Sequence, residues 1–395
     1  MKRFWLFLAL LVVFVHAGVA GILNRPANGI TARDLATAGG FTVAYPDGAS
    51  AVFINPAVLV EIKSWAWDLG LVGLTTDFSY DRDPLLGGGS FGAKNEVFLL
   101  PYGAVAYRWQ DFVFAIGLDA PYGLAADYGD KLGFDAYMSF ADISLGAAYE
   151  FNEYFSLGAS FKTVYGDTDL RMPLLDPTGT ALLGLTTTEA NGFGYGFQVG
   201  ALFRCDPFKI GLVYSPSIKI SADGETKFPA GVGIVSDNMS ADIYQPKRFG
   251  VGVSWQALDE LRLGLSYFRT DYEKNDKVAV HYDNLLTNVL DLGWGAVDAV
   301  HAGLEYEPDD IWTLRLGGAW MNAGTPDYSP PSIPDGAGWI VTGGVGCQVA
   351  KHTYFDLGTG YYFADRRIPV GARNIGAGDV DLNGWMLGIG VRQEF

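Results

Sequence analysis

Four basic residues set in alternating apolar stretches, Lys162, Arg248, Arg262 and Arg315, are the groups in this chain best suited to hold an anion. A carboxylate entering apolar surroundings needs a cation or several hydrogen-bond donors. The same cations would serve equally to neutralise acidic neighbours such as Asp142, Glu305 or Asp356, because a buried charge needs a partner whatever the function. Catalytic chemistry is harder to assemble. His301 is placed to neighbour Ser266 across a hairpin, but a Ser–His pair without an orienting acid is weak evidence for acyl transfer. Asp81-Arg-Asp83 starts like a calcium loop and lacks the further ligands and the closing glutamate. Zinc and phosphate-loop spacings are absent. No catalytic residue, metal site or cofactor is expected.

These side chains can meet only if strands carry them. From Trp65 to Phe395 the chain repeats alternating segments of roughly ten or more residues, the length of a tilted membrane strand. They fall near 65–79, 96–109, 112–120, 137–150, 154–170, 193–205, 208–221, 247–256, 260–272, 297–306, 311–321, 338–349, 353–364 and 384–395. That makes about fourteen, an even number, as bacterial barrels have. Tight turns such as 109–112, 151–154, 205–208 and 256–260 alternate with long links at 171–192, 222–246, 273–296 and 365–383. Short periplasmic turns and long extracellular loops are the pattern of an up-and-down outer-membrane barrel.

Successive strand residues face opposite sides. Phe249, Val251, Val253 and Trp255 therefore face lipid, while Arg248, Gly250, Gly252 and Ser254 face the lumen. The same parity sends Lys162, Gln198, Arg204, Lys209, Arg262, His301, Glu305, Arg315 and Asp356 inward. Trp65, Tyr107, Trp109, Tyr149, Trp255 and Tyr306 sit at strand ends, where an aromatic girdle belongs. Cys205 and Cys347 lie on widely separated strands, so no disulfide is expected. In the last segment Trp385, Leu387, Ile389, Val391 and Phe395 alternate with Gly388, Gly390, Arg392 and Glu394. It resembles the final strand of a bacterial outer-membrane barrel, which implies recognition by the barrel-assembly machinery through the strand ending at Phe395.

Met1-Lys2-Arg3, the apolar run from Phe4 to Val15 and the small residues Ala17-Gly18-Val19-Ala20 read as a cleaved signal peptide over residues 1–20. The chain holds 44 acidic against 27 basic residues. That balance excludes nucleic acid, whose binding rests on Lys and Arg neutralising phosphates. Beyond the leader no apolar run approaches the ~18 residues of a spanning helix, so a membrane protein of this composition must cross as strands.

Residues 21–64 show no sustained alternation and precede the first strand. The segment carries Gly39, Gly40 and Ala44, then an acidic residue and a run of small residues into Asn55-Pro56-Ala57. With the strands that follow, the Ala120-Pro-Tyr-Gly-Leu124 stretch and the C-terminal strand, the chain resembles the FadL/TodX family of long-chain fatty acid and aromatic hydrocarbon transporters. The resemblance implies that residues 21–64 form an N-terminal plug, or hatch, in the lumen. It also implies that Asn55, Pro56 and Ala57 lie near a wall opening where the third strand is kinked. The residues support a kink on their own account. Pro121 has no N–H for a ladder and Gly123 loosens the backbone, so a break is expected across Asp119, Ala120, Pro121, Tyr122 and Gly123. Pro121 simply ending the strand is the alternative.

Link 171–192 contains Leu174, Leu175, Leu182 and Leu183, and link 222–246 contains Phe228. Exposed apolar residues of this kind mark either a binding groove or loop-to-loop packing. The fold class expected is all-β: a monomeric transmembrane antiparallel barrel of about fourteen strands over residues 65–395 in the outer membrane of a Gram-negative-type bacterium. The expected function is passive transport of a hydrophobic small molecule, captured by the loops, held in the lumen and released at the third strand into outer-membrane lipids. A polar-solute porin and a non-transporting surface or assembly platform are the alternatives.

Overall fold

The computed structural model describes residues 31–46, 48–129, 135–175, 182–230, 232–371 and 376–395. The proposed signal peptide and residues 21–30 lie outside the described residues. Fourteen strands cross the wall, several with a break near the extracellular rim. They are β1 (Trp65–Thr75 and Asp77–Arg82), β2 (Ser90–Gly92 and Val97–Trp109), β3 (Phe112–Asp127), β4 (Asp135–Asn152), β5 (Phe155–Leu175), β6 (Leu182–Cys205) and β7 (Phe208–Ser215 and Ile218–Lys227). The second half comprises β8 (Ser236–Gln245 and Lys247–Leu258), β9 (Leu261–Asp271 and Lys277–Tyr282), β10 (Asn288–Asp291 and Ala296–Tyr306), β11 (Trp312–Met321), β12 (Ala337–Ala350), β13 (Thr353–Ile368) and β14 (Gly378–Glu394). Each pairs antiparallel with the next, and β1 closes on β14 from Ala66↔Glu394 to Leu74↔Met386. A closed barrel leaves no edge exposed to lipid. At the seam the Trp65 and Phe395 rings stack at 4.3 Å, and Phe395 N donates to Trp65 O.

The alternation read from the sequence holds along the wall. Leu316, Leu387 and Trp385 are exposed, whereas Arg315, Gly388 and Gly390 are buried. Cys205 and Cys347 are free thiols.

The long links differ from their sequence reading. Strands β5 and β6 stay paired up to Leu175↔Leu182, so most of 171–192 is a hairpin continuing above the membrane. Most of 222–246 is likewise strand, paired from Ile218↔Gln245 to Lys227↔Ser236. Short strands also occupy much of 273–296 and 365–383. These stretches carry fewer apolar residues on their outer face than the membrane band does. A hydropathy reading therefore stops at the lipid boundary while the backbone ladder continues.

Residues 31–62 lie inside the barrel. Helix α1 (Ala32–Ala36) starts with a capping box between Thr31 and Asp34, and α2 (Ala51–Ile54) leads into a 3-10 helix at Pro56–Glu61. Asn55 caps that helix through Oδ1, which accepts from Ala57 N at 3.2 Å, and Pro56 takes the first position, where its missing N–H costs nothing.

Candidate functional site

The internal segment is tied to the wall by side chains that the strands point inward. Carbonyls of the segment accept from Ser160 Oγ (to Val52 O, 2.9 Å), Gln198 Nε2 (to Ile54 O, 2.6 Å), Ser156 Oγ (to Ala57 O, 3.0 Å), Ser266 Oγ (to Gly40 O, 2.9 Å) and Thr342 Oγ1 (to Ala36 O, 3.2 Å). His301 Nδ1 lies 2.7 Å from Ala38 O. Ser266 and His301 are register partners, as the sequence suggested, yet each is engaged with the internal segment rather than poised as nucleophile and base.

Asn55 is fully buried and donates through Nδ2 to Val43 O at 2.7 Å and to Ala201 O of β6 at 3.2 Å. The wall admits it only because glycine faces it. A Cβ on Gly200 would stand 1.9 Å from Asn55 Oδ1, and one on Gly158 would stand 2.4 Å from Ala57 N. Asn55, Pro56 and Ala57 therefore sit against β5 and β6, while the ring of Phe53 reaches Gly117 on β3.

The four candidate cations divide into two groups. Arg262 and Arg315 lie on the periplasmic side of the segment. Glu305 takes Arg315 Nε at 2.7 Å and Arg262 Nη1 at 3.3 Å, and Arg315 Nη1 reaches Asp356 at 2.6 Å. This cluster walls a cavity of about 840 Å³ whose lining includes Arg33, Tyr45, Glu305 and Asp356. Three cations surround the Tyr45 ring, with Arg262, Lys209 and Arg33 at 4.2, 4.6 and 4.8 Å from its centroid.

Lys162 and Arg248 lie on the other side, beside α2. Lys162 Nζ is 3.4 Å from Asp142 Oδ2 and 3.5 Å from Phe53 O. Arg248 is buried, donates from Nη2 to Gln198 Oε1 at 3.1 Å and stands over the Phe268 ring, while its Nε and Nη1 have no hydrogen-bond partner among the described residues. A buried guanidinium with two donors unspent is suited to an incoming acceptor.

The third strand is bent but not ended. β3 stays paired with β4 from Phe112↔Tyr149 to Asp127↔Asp135, with a register shift between Asp119 and Tyr122 that absorbs Pro121 as a bulge. Its pairing with β2 runs only from Trp109↔Phe112 to Gly103↔Leu118. Near the extracellular rim Lys94 N donates to Asp127 O at 2.7 Å, a contact reinforced by the Lys94–Asp127 ion pair. The paired register of β2 with β3 does not extend to 97–102 and 119–126. Asp119, Pro121 and Gly123 are buried.

At the extracellular end, Leu174 pairs with Gly184, and Gly184 abuts Pro229, so the β5–β6 and β7–β8 hairpins touch at their tips. This brings Leu174, Leu183 and Phe228 into one neighbourhood, with Leu183 and Val235 exposed. Leu175 and Leu182 are backbone partners at the tip of the first hairpin.

Sequence reading missed residues 322–336, which fold inward between β11 and β12. Arg366 holds this strap through Thr325 Oγ1 at 2.7 Å and the carbonyls of Pro330 and Ile333 at 3.1 Å. Asp335 Oδ2 accepts from Gly324 N and Thr325 N, and burial pushes its carboxyl above the usual range. Four prolines within fifteen residues were the available signal.

The profile of a family described as outer membrane protein transport protein (OMPP1/FadL/TodX) matches residues 17–395. Outer membrane protein P1 of Haemophilus influenzae is 22% identical over 417 residues, covering 92% of this chain and 88% of that protein. A Pseudomonas aeruginosa FadL homologue of known structure is similar with a TM-score of 0.81 at 18% identity, covering 95% of this chain and 100% of that one. The toluene transporter TodX of P. putida gives 0.76 at 17% identity, over 93% and 99% of the two chains.

Proposed function

The chain belongs to the OMPP1/FadL/TodX family of outer-membrane transport proteins, and on that premise we propose that it carries hydrophobic small molecules inward by diffusion, without cofactor or energy coupling. In this reading residues 21–64 are the plug. The hairpin tips around Leu174, Leu175, Leu182, Leu183 and Phe228 capture the ligand, and Lys162 and Arg248 anchor a polar end where one is present. The ligand leaves sideways past Asp119, Pro121, Tyr122 and Gly123. The protein works as a monomer after insertion by the barrel-assembly machinery.

One observation carries the reading. The paired register between β2 and β3 runs no further than Gly103↔Leu118, while Arg33, Arg262 and Arg315 converge on Glu305 across the floor of the lumen. A hydrophobic molecule would lose about 0.8 kcal/mol per methylene on leaving apolar surroundings for that charged floor. Sideways release into the bilayer avoids this loss. Asn55, Pro56 and Ala57 lie against β5 and β6, and Phe53 reaches the gate strand.

Planar-bilayer recording together with mass spectrometry of the purified barrel tests the proposal. Small ion conductance and a copurifying apolar molecule are expected. A large steady conductance with no such molecule would replace it with a porin for polar solutes.

A further inference from the structure

We infer that a dent in the lipid-facing wall across β3 to β6 holds one acyl chain of an ethanolamine phospholipid, whose headgroup lies at the periplasmic turns. The inference needs only the barrel in its membrane and does not rest on the sideways exit. The dent has a volume of about 340 Å³, with Ala147 and Ala159 set among the larger Phe112, Tyr149, Leu157 and Val199. Ala147 and Ala159 are register partners, and Ala159 pairs on its other side with Val199, so the dent follows one row across β4, β5 and β6. The Phe112 and Tyr149 rings meet at 4.7 Å on its periplasmic side. Leu145, Phe161 and Phe197 stand exposed on its extracellular side.

Packing inside the barrel explains the small residues of the inner face only. Gly158 and Gly200 face the internal segment, where a Cβ would stand 2.4 Å from Ala57 N and 1.9 Å from Asn55 Oδ1. Ala147 and Ala159 point the other way, to the band that elsewhere carries Leu, Ile, Val and Phe. A hollow there forfeits dispersion contacts unless something fills it, and what the membrane offers is an acyl chain. Ala159 lies six residues beyond Glu153. That is about 20 Å along a strand and less in depth once the strand is tilted, which keeps the dent in the periplasmic leaflet.

The headgroup follows from charge. The turns at 110–111, 152–154 and 206–207 expose Asp111, Glu153 and Asp206 and contain no basic residue. Neighbouring bases are engaged elsewhere, Arg108 on Glu150 at 3.0 Å and Arg204 on Glu150 at 2.9 Å and Glu61 at 3.3 Å. Lys63 precedes β1, two strands away from Phe112. An ammonium headgroup pairs with such carboxylates, whereas a headgroup charged only by its phosphate is repelled.

The test is native mass spectrometry of the full-length protein released from nanodiscs that hold phosphatidylethanolamine and phosphatidylglycerol in equal amounts with matched chains. One phosphatidylethanolamine should stay bound, preferred about threefold over phosphatidylglycerol, the scale of one exposed ion pair. Ala147→Leu/Ala159→Leu fills the dent and should lose this adduct. If that pair gives no heat-modifiable band, Ala159→Leu alone makes the same test. Asp111→Asn/Glu153→Gln should keep a lipid adduct and lose the preference between headgroups. Equal retention of the two lipids by the unaltered protein, or the same adduct on the filled variant, would overturn the inference. So would a copurified fatty acid or a second copy of the chain that is lost when the dent is filled.

Discussion

Arg33 and Glu305 form a two-pronged buried ion pair, 2.7 Å from Nε to Oε1 and 2.8 Å from Nη2 to Oε2. It joins the internal segment to β10, and the same carboxylate also receives Arg262 and Arg315. One carboxylate thus meets three guanidinium groups at the floor of the lumen, and Asp356 holds Arg315 as well. Glu305→Gln should break the buried pair with Arg33, at a cost of about 3–5 kcal/mol. Planar-bilayer conductance should rise and the heat-modification temperature should fall. Conductance at the wild-type level would show that the internal segment is held by its carbonyl contacts instead.

Asn55→Ala tests those contacts. Val43 O would lose its donor inside the protein, costing about 1–3 kcal/mol, while Ala201 O would lose only a second donor beside its rung partner Leu212. Gly200→Ala should produce a similar defect from the wall side, because its new Cβ collides with Asn55 Oδ1. Both variants should show faster proteolysis within residues 31–62. Resistance equal to wild type in both would remove Asn55 from the anchor.

Arg248→Met addresses ligand chemistry. A charged hydrogen bond contributes about 1.5–3 kcal/mol, so affinity for a long-chain carboxylate should drop roughly ten- to hundredfold while that for an alkane of equal length holds. Arg262→Met, on the far side of the internal segment, should leave both affinities in place. Equal loss for acid and alkane would mean that Arg248 supports the fold and not the ligand.

Replacing Leu174, Leu175, Leu182, Leu183 and Phe228 by Ser should weaken uptake of a hydrophobic probe and preserve heat-modifiable migration, since these residues lie at hairpin tips beyond the membrane band. Loss of the folded band would reassign them to caps that hold the hairpins together.

Pro121→Val with Gly123→Thr should straighten β3 by favouring regular strand conformation. Transport should fall and binding to the solubilised protein should persist. Undiminished uptake at normal abundance would direct the exit past the plug.

How much of this was legible follows from the range of each force. Lipid facing is a period-two property of single strands, so the outward series Phe249, Val251, Val253 and Trp255 and the inward Arg248 could be read directly from order along the chain. So could the turns, where Gln110-Asp111 and Asp206-Pro207 interrupt the alternation. The extent of the strands above the membrane could not, because outside lipid the ladder is held by backbone bonds that leave no hydropathy signal.

The sequence alone determined an exported barrel with an irregular N-terminal segment and a proline in the third strand. Its inward cations were visible, but their partners were not. Glu305 is distant in sequence from Arg33, and only barrel closure and the path of the internal segment bring the two together. Tertiary structure likewise separated Arg262 and Arg315, spent on the floor, from Lys162 and Arg248 above it. It also decided that Pro121 is absorbed by a bulge in β3. Alternation reports which face a side chain takes. Which neighbour each backbone group meets is set by register, and register exists only once the strands are paired.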